Sequence, residues 1–190
     1  MADFEPCYDK VIDIEGGYHL INIPGDRGGQ TYAGISRNNW PEWEGWEKID
    51  RKNFDLELIE MVKGFYKQEF WDKIKGDDIG FQSVAYNIYA FAINSGLKTS
   101  IKICQKIIGT KVDGDFGAKT FKALNKFVAD QKDEKIFVLT FSLLKVFRYK
   151  EIVMNDPRRD HDFFVSDQKF LCGWLNRVQE GTKYWSVVWP

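Results

Sequence analysis

The chain has 190 residues, of which 44% are hydrophobic, and a formal net charge of −1. That length allows one domain or two small ones with a sizeable core, and the near-neutral balance argues against nucleic acid as the main partner. Three scattered cysteines (Cys7, Cys104, Cys172) and only two histidines give neither a disulfide framework nor zinc-ligand spacing, so no cofactor or metal is expected.

The opening stretch "MADFEPCYDK" has no basic region followed by an apolar one, and no run is long and apolar enough to span a membrane. Synthesis in the cytoplasm is therefore expected, without membrane insertion; action outside needs release or another export route. Charge is uneven: residues 1–97 carry 10 Lys/Arg against 17 Asp/Glu, and residues 98–190 carry 17 against 11. This fits halves that attract each other, or a basic half that faces an anionic polymer.

Phe4, Tyr8, Val11, Ile12 and Glu15 recur at helical spacing, which predicts a first helix from near Asp3 to Glu15, stopped by Gly16-Gly17. From Ile21 to Ile35 glycine and proline punctuate the pattern, and a small β-hairpin or irregular loop is expected there. "WPEWEGWEKID" is too crowded with Trp and Pro to form one regular helix. A helix capped by Asn53 or Asp55 should reach about Ile74, with Leu56, Ile59, Tyr66 and Phe70 inward. Residues 80–95 read as a central apolar helix ended by Ser95-Gly96. Thr99 should cap the next, to Gly109; "TKVDGDFG" is a turn. Further helices are expected at about 117–131, 134–154 and 166–180. The best boundary is Asn94–Thr99, giving subdomains 1–95 and 96–190.

Glu15 shares the inward face of the first helix and ends it. Desolvation and the negative end of the helix dipole both disfavour its charged form, which raises a carboxyl pKa. A carboxylic acid still protonated near neutral pH can protonate a leaving glycosidic oxygen. A glutamate at a frayed, solvated helix end has the same local sequence. Asp26 lies in the turn "PGDRGG" and Thr31 follows across two glycines. Together they could hold a water, as the base of an inverting glycosidase does at about 6.5–9.5 Å from the acid; an Asp in such a turn also commonly caps its own backbone.

Six motifs then occur in order: "EGGY", "DRGGQTYAGIS", "FYKQEFWDKI", "AINSG", "ICQKIIGTKVDGDFGAKT" and "FLCGWLNRV". From about Tyr8 to Gln179 the chain resembles glycoside hydrolase family 108, a lysozyme-like group of peptidoglycan-degrading proteins, some of them labelled secretion activators. The resemblance implies a mainly α, lysozyme-like helical fold with a small hairpin or irregular loop after the first helix. It implies Glu15 as catalytic acid, and the Glu, Asp, Thr order of phage-type lysozymes extends this to Asp26 and Thr31. The second half resembles the family's predicted peptidoglycan-binding module, with Asp113, Gly114, Gly117 and Thr120 in its turn. The sequence departs from the pattern at Ala33, where an aromatic is usual, and at Ala90, where an Asp is. The stretch from Glu15 to Thr31 is also longer than usual.

Candidate substrate contacts are Tyr18, which could hydrogen-bond or stack on a sugar, and Arg27, Gln30, Trp71 and Asn94, these four with structural alternatives: Trp71 as core, Asn94 as a left-handed helix cap, Arg27 and Gln30 as solvated turn residues. The expected activity is cleavage of the β-1,4 bond of peptidoglycan glycan strands. The rivals are a lytic transglycosylase, which needs the acid alone, and a non-catalytic wall-binding or regulatory protein. A helical adaptor for protein partners ranks last.

Overall fold

In the computed structural model, residues 1–14, 16–22, 29–155 and 171–186 are described; side chains 171, 172 and 183–186 are not. The described residues form eight α-helices and one three-stranded antiparallel sheet, the mainly α fold expected. They divide into two compact units, Asp3–Asp77 and Met1–Ala2 with the chain from Asp78 on.

The first unit opens with α1 (Phe4–Ile14), whose buried face is Phe4, Cys7, Tyr8, Val11 and Ile12. Strands β1 (Leu20–Asn22), β2 (Gln30–Tyr32) and β3 (Ile35–Ser36) follow, with Ile21 opposite Thr31 and Tyr32 opposite Ile35. A two-residue turn, Ala33 (φ 48°) and Gly34 (φ 80°), joins β2 to β3. Both residues are left-handed, as a tight hairpin of matching twist requires. Ala33 accepts that conformation while buried, its carbonyl taking the Tyr66 hydroxyl at 2.8 Å.

"WPEWEGWEKID" is not one regular helix, as expected; only its second half is helical, the short α2 (Gly45–Asp50). Indole packing stabilises it: the Trp46 Nε1 donates to the Trp40 carbonyl at 2.7 Å, and the Trp43 ring lies where a Cβ on Gly45 would sit. Helix α3 (Leu56–Tyr66) is capped by Asp55, whose carboxylate accepts from the Leu58 N–H at 2.9 Å. Leu56, expected inward, is exposed, because it is the first helical residue and the buried stripe begins at Leu58. The expected run to Ile74 is continuous but irregular, with a π turn over Lys67–Trp71 and a 3-10 turn over Asp72–Ile74.

The second unit centres on α4 (Gln82–Ser95), buried from Ser83 to Tyr89 and packed against α5 (Leu97–Ile108), α7 (Gln131–Met154) and α8 (Leu171–Ser186). Gly96 (φ 88°) separates α4 from α5 and also serves as the α5 N-cap, where Thr99 was expected. Between α5 and α6 (Ala118–Phe127), Gln105 organises the turn. Its amide donates to the Asp113 carboxylate at 2.8 Å and its carbonyl accepts from the Gly114 N–H at 2.8 Å. The Asp115 N–H and the Gln105 amide hold the Asp113 carboxyl down to about 2. Cys7 and Cys104 are buried free thiols; the side chain of Cys172 lies outside the described set. No helix among the described residues is long and apolar enough to cross a membrane.

A buried polar knot ties α4, α7 and α8. The Lys145 ammonium donates to Asn87 Oδ1 at 2.9 Å, and the Asn87 amide donates to the carbonyls of Ser83 and Gly181 at 2.9 and 3.1 Å. A Cβ on Gly181 would fall 2.4 Å from Asn87 Oδ1 and 2.9 Å from Lys145 Nζ. Gly181→Ala is therefore expected to destabilise the fold by about 1–3 kcal/mol, the usual cost of overpacking, measured by chemical denaturation.

Burial lowers the Lys145 ammonium from 10.5 to about 7. Between those values the folded chain holds fewer protons at Lys145 than the unfolded chain, so stability rises with pH across that window and this residue adds no slope below it. The melting temperature of wild type should thus gain several degrees between pH 7 and pH 9.5 relative to Lys145→Met, measured on both at each pH.

Candidate active site

Helix α1 delivers the opening feature of the site. It stops at two consecutive left-handed glycines, Gly16 (φ 90°) and Gly17 (φ 75°), and the Gly17 N–H returns to the Ile12 carbonyl at 2.9 Å. Such a return bond closes a helix end and requires residues that tolerate positive φ. A Cβ on Gly16 would meet nothing within 4 Å, so this glycine serves the backbone rather than close packing. Glu15, next to this break, lies outside the described residues, as do Asp26 and Arg27.

Beside the break stands a cluster of phenols. The hydroxyls of Tyr8 and Tyr18 are 2.8 Å apart, one on the buried face of α1 and one just past its end. Burial pushes the Tyr32 phenol above its ordinary value, and nearby Tyr18 pushes it further. Tyr32 therefore keeps its proton at neutral pH, and within the Tyr8–Tyr18 pair one hydroxyl donates to the other. The place of Tyr8 on the inward face of α1 was readable from spacing, but its hydroxyl partner was not.

Strand β2 carries Gln30 and Thr31. Thr31 is half-buried, and its hydroxyl has a long 3.4 Å contact to the Gly29 carbonyl. Gln30 is not the solvated turn residue that was the alternative reading: its Oε1 accepts from Arg37 at 2.7 Å. Arg37 grips both oxygens of Asp50, at 2.7 and 2.6 Å, and its guanidinium lies 5.0 Å over the Trp46 ring. Hydrogen bonding in that fork raises the Arg37 pKa and lowers that of Asp50. The arrangement fixes the start of β2, and with it the position of Thr31. No sequence signal joined Arg37 to Gln30, since they meet only through strand pairing.

Two candidate contacts have other duties. Trp71 is fully buried, donates to Asp77 at 2.8 Å and lies flat where a Cβ on Gly76 would be, so it cannot line an open cleft. Asn94, in the second unit, accepts from the Tyr149 hydroxyl at 2.8 Å and from Ser95 at 3.2 Å. It stays inside α4, and Gly96 takes the left-handed position expected of it. Among the described residues, no group of three or more His, Cys, Asp or Glu could hold a metal ion.

Residues 8–96 match the glycosyl hydrolase 108 family, and residues 99–179 match the predicted peptidoglycan domain. Among solved structures the chain is similar to SagA of Brucella abortus, with 25% identity and a TM-score of 0.69 over 95% of this chain and 92% of that one. No protein of curated function matches it. The hydrolase segment, residues 8–96, thus belongs to glycosyl hydrolase family 108, and with the predicted peptidoglycan domain that follows it the chain is a peptidoglycan hydrolase.

Proposed function

We propose that the protein is a muramidase that cleaves the β-1,4 bond between N-acetylmuramic acid and N-acetylglucosamine. Glu15 protonates the leaving oxygen. Asp26, helped by Thr31, positions and deprotonates the attacking water. The observation that carries this reading is the end of α1: a double-glycine break directly after position 15, beside the Tyr8–Tyr18 pair. A carboxyl at the C-terminal end of a helix meets the negative end of its dipole, which favours the protonated form. Of the substrate contacts, Tyr18 and Gln30 accompany this break in the first unit, and Arg27 belongs to the segment between β1 and β2.

The predicted peptidoglycan domain retains the chain on the wall. In support, Lys102 and Lys106 border a cavity of about 330 Å³ beside Leu144 and Phe147, where Arg148 is already paired with Glu151; the two lysines suit an anionic group on an apolar stem. Lys102→Glu with Lys106→Glu is expected to lower the fraction of protein that sediments with purified walls several-fold. Unchanged retention would remove this cavity from the account.

Glu15→Gln should lower the clearing of purified walls about 10²–10⁴-fold, the usual contribution of a positioned general acid. Equal clearing by wild type and variant would sink the assignment. Product mass separates hydrolysis, which adds water, from transglycosylation, which makes an anhydro sugar. Asp26→Ala should abolish the hydrolytic product; full activity in that variant would favour the transglycosylase.

A further inference from the structure

The first unit holds a cavity of about 670 Å³ to which the reaction assigns no role. One wall is the loop after β3, with Trp40 and Trp43; the other is one face of α3 and the turn after it. Met61, Gly64, Phe65 and Gln68 stand at i, i+3, i+4 and i+7, a single helical stripe. The rings are fixed before any ligand arrives. Trp40 meets Phe65 edge-on at 4.8 Å, and Trp43 meets Trp46 edge-on at 5.3 Å. Both Trp40 and Trp43 stay half-buried, so part of each indole remains accessible.

Gly64 is the informative residue. A glycine inside a helix costs about 1 kcal/mol relative to alanine. Here no turn requires it, and no close packing does either, since a Cβ would meet nothing within 4 Å. Its effect is to keep the cavity wall clear.

The charge is one-sided. Glu42, Glu44 and Glu69 line the cavity, and among the described residues no Lys or Arg does. Elsewhere in this unit Asp50, Asp55, Glu57, Asp72 and Asp77 are each held by a lysine or arginine. The three cavity glutamates are in no ion pair among the described residues. Aromatic faces beside unpaired carboxylates attract a cation twice over, through the ring quadrupole and through charge. A carboxylate-bearing or phosphate-bearing group is repelled, and a neutral sugar leaves the negative charge unanswered.

We propose that this cavity binds an alkylammonium side chain carried on a short peptide, the ammonium among Glu42, Glu44 and Glu69 and the stem against Trp40 and Trp43. The volume lies in the range of small-ligand sites, about 300–1,000 Å³, which leaves room for the neighbouring peptide units. In the wall polymer the matching group is a free amine of the peptide moiety; that source rests on the hydrolase reading, whereas the binding chemistry does not.

The test is calorimetric titration of the full chain with N-acetyl-alanyl-lysyl-alanine amide. Its Nε-acetylated form and the trimer of N-acetylglucosamine serve as comparators. The expected result is saturable binding of the lysyl peptide, weakened at least ten-fold by Nε-acetylation and by the triple change Glu42→Gln, Glu44→Gln, Glu69→Gln. Gly64→Leu should abolish it by filling the cavity while keeping or raising the melting temperature, because leucine is the better helix former. No saturable binding, equal binding of the acetylated peptide, tighter binding of the sugar trimer, or an unaffected triple variant would each overturn the proposal. The Glu15→Gln chain should bind the peptide as wild type does. Peptide binding by a wild type that leaves walls uncut would therefore refute the hydrolase reading alone.

Discussion

Helix α1 cannot pass through Gly16 and Gly17, and the first unit is arranged around that stop. Two adjacent residues at positive φ turn the chain sharply, and the Gly17 N–H seals the helix by returning to Ile12. The chain then runs directly into β1, whose partner β2 carries Thr31 opposite Ile21. A longer helix would displace this strand pair and separate the Tyr18 hydroxyl from that of Tyr8.

The second unit uses another strategy. Helix α4 is buried along most of its length, and several of its polar side chains bond to neighbouring elements: Ser83 to Glu134, Asn87 to Lys145 and Gly181, Asn94 to Tyr149. Asn87 bonds α4, α7 and α8 together, and Ser100 donates to the Ile88 carbonyl at 2.6 Å. A buried amide leaves few alternative arrangements, because any shift strands a donor or an acceptor in an apolar setting. Lys145 carries the cost, with its ammonium buried against Phe91 and Phe141 and bonded to an uncharged partner.

Much of the fold was legible in the sequence because the responsible signals are local. Helical spacing from Phe4 to Ile12 and the glycine pair after it locate α1 and its end. The apolar run before Gly96 identifies α4, and the Asp113–Gly114 turn is written in its residues. The misses also have physical reasons. Leu56 suits a buried stripe by periodicity, but its place at the first helical turn leaves it in water. Thr99 suits an N-cap by residue type, but the cap falls at Gly96. Trp71 was offered to the sugar cleft with the core as the favoured alternative, and the backbone approach of Gly76 and the Asp77 carboxylate place it in the core.

The sequence by itself determined the helical class, the stop after Glu15, the motif order and the absence of any zinc-like spacing. These follow from φ preferences, hydrophobic period and residue identity, which act over a few positions. Tertiary structure decided which groups meet: Tyr8 with Tyr18, Gln30 with Arg37, Asn94 with Tyr149, and two tryptophans with three glutamates around one cavity. Hydrogen bonds and aromatic contacts form between side chains that the fold brings within a few ångströms, and separation along the chain does not encode that distance.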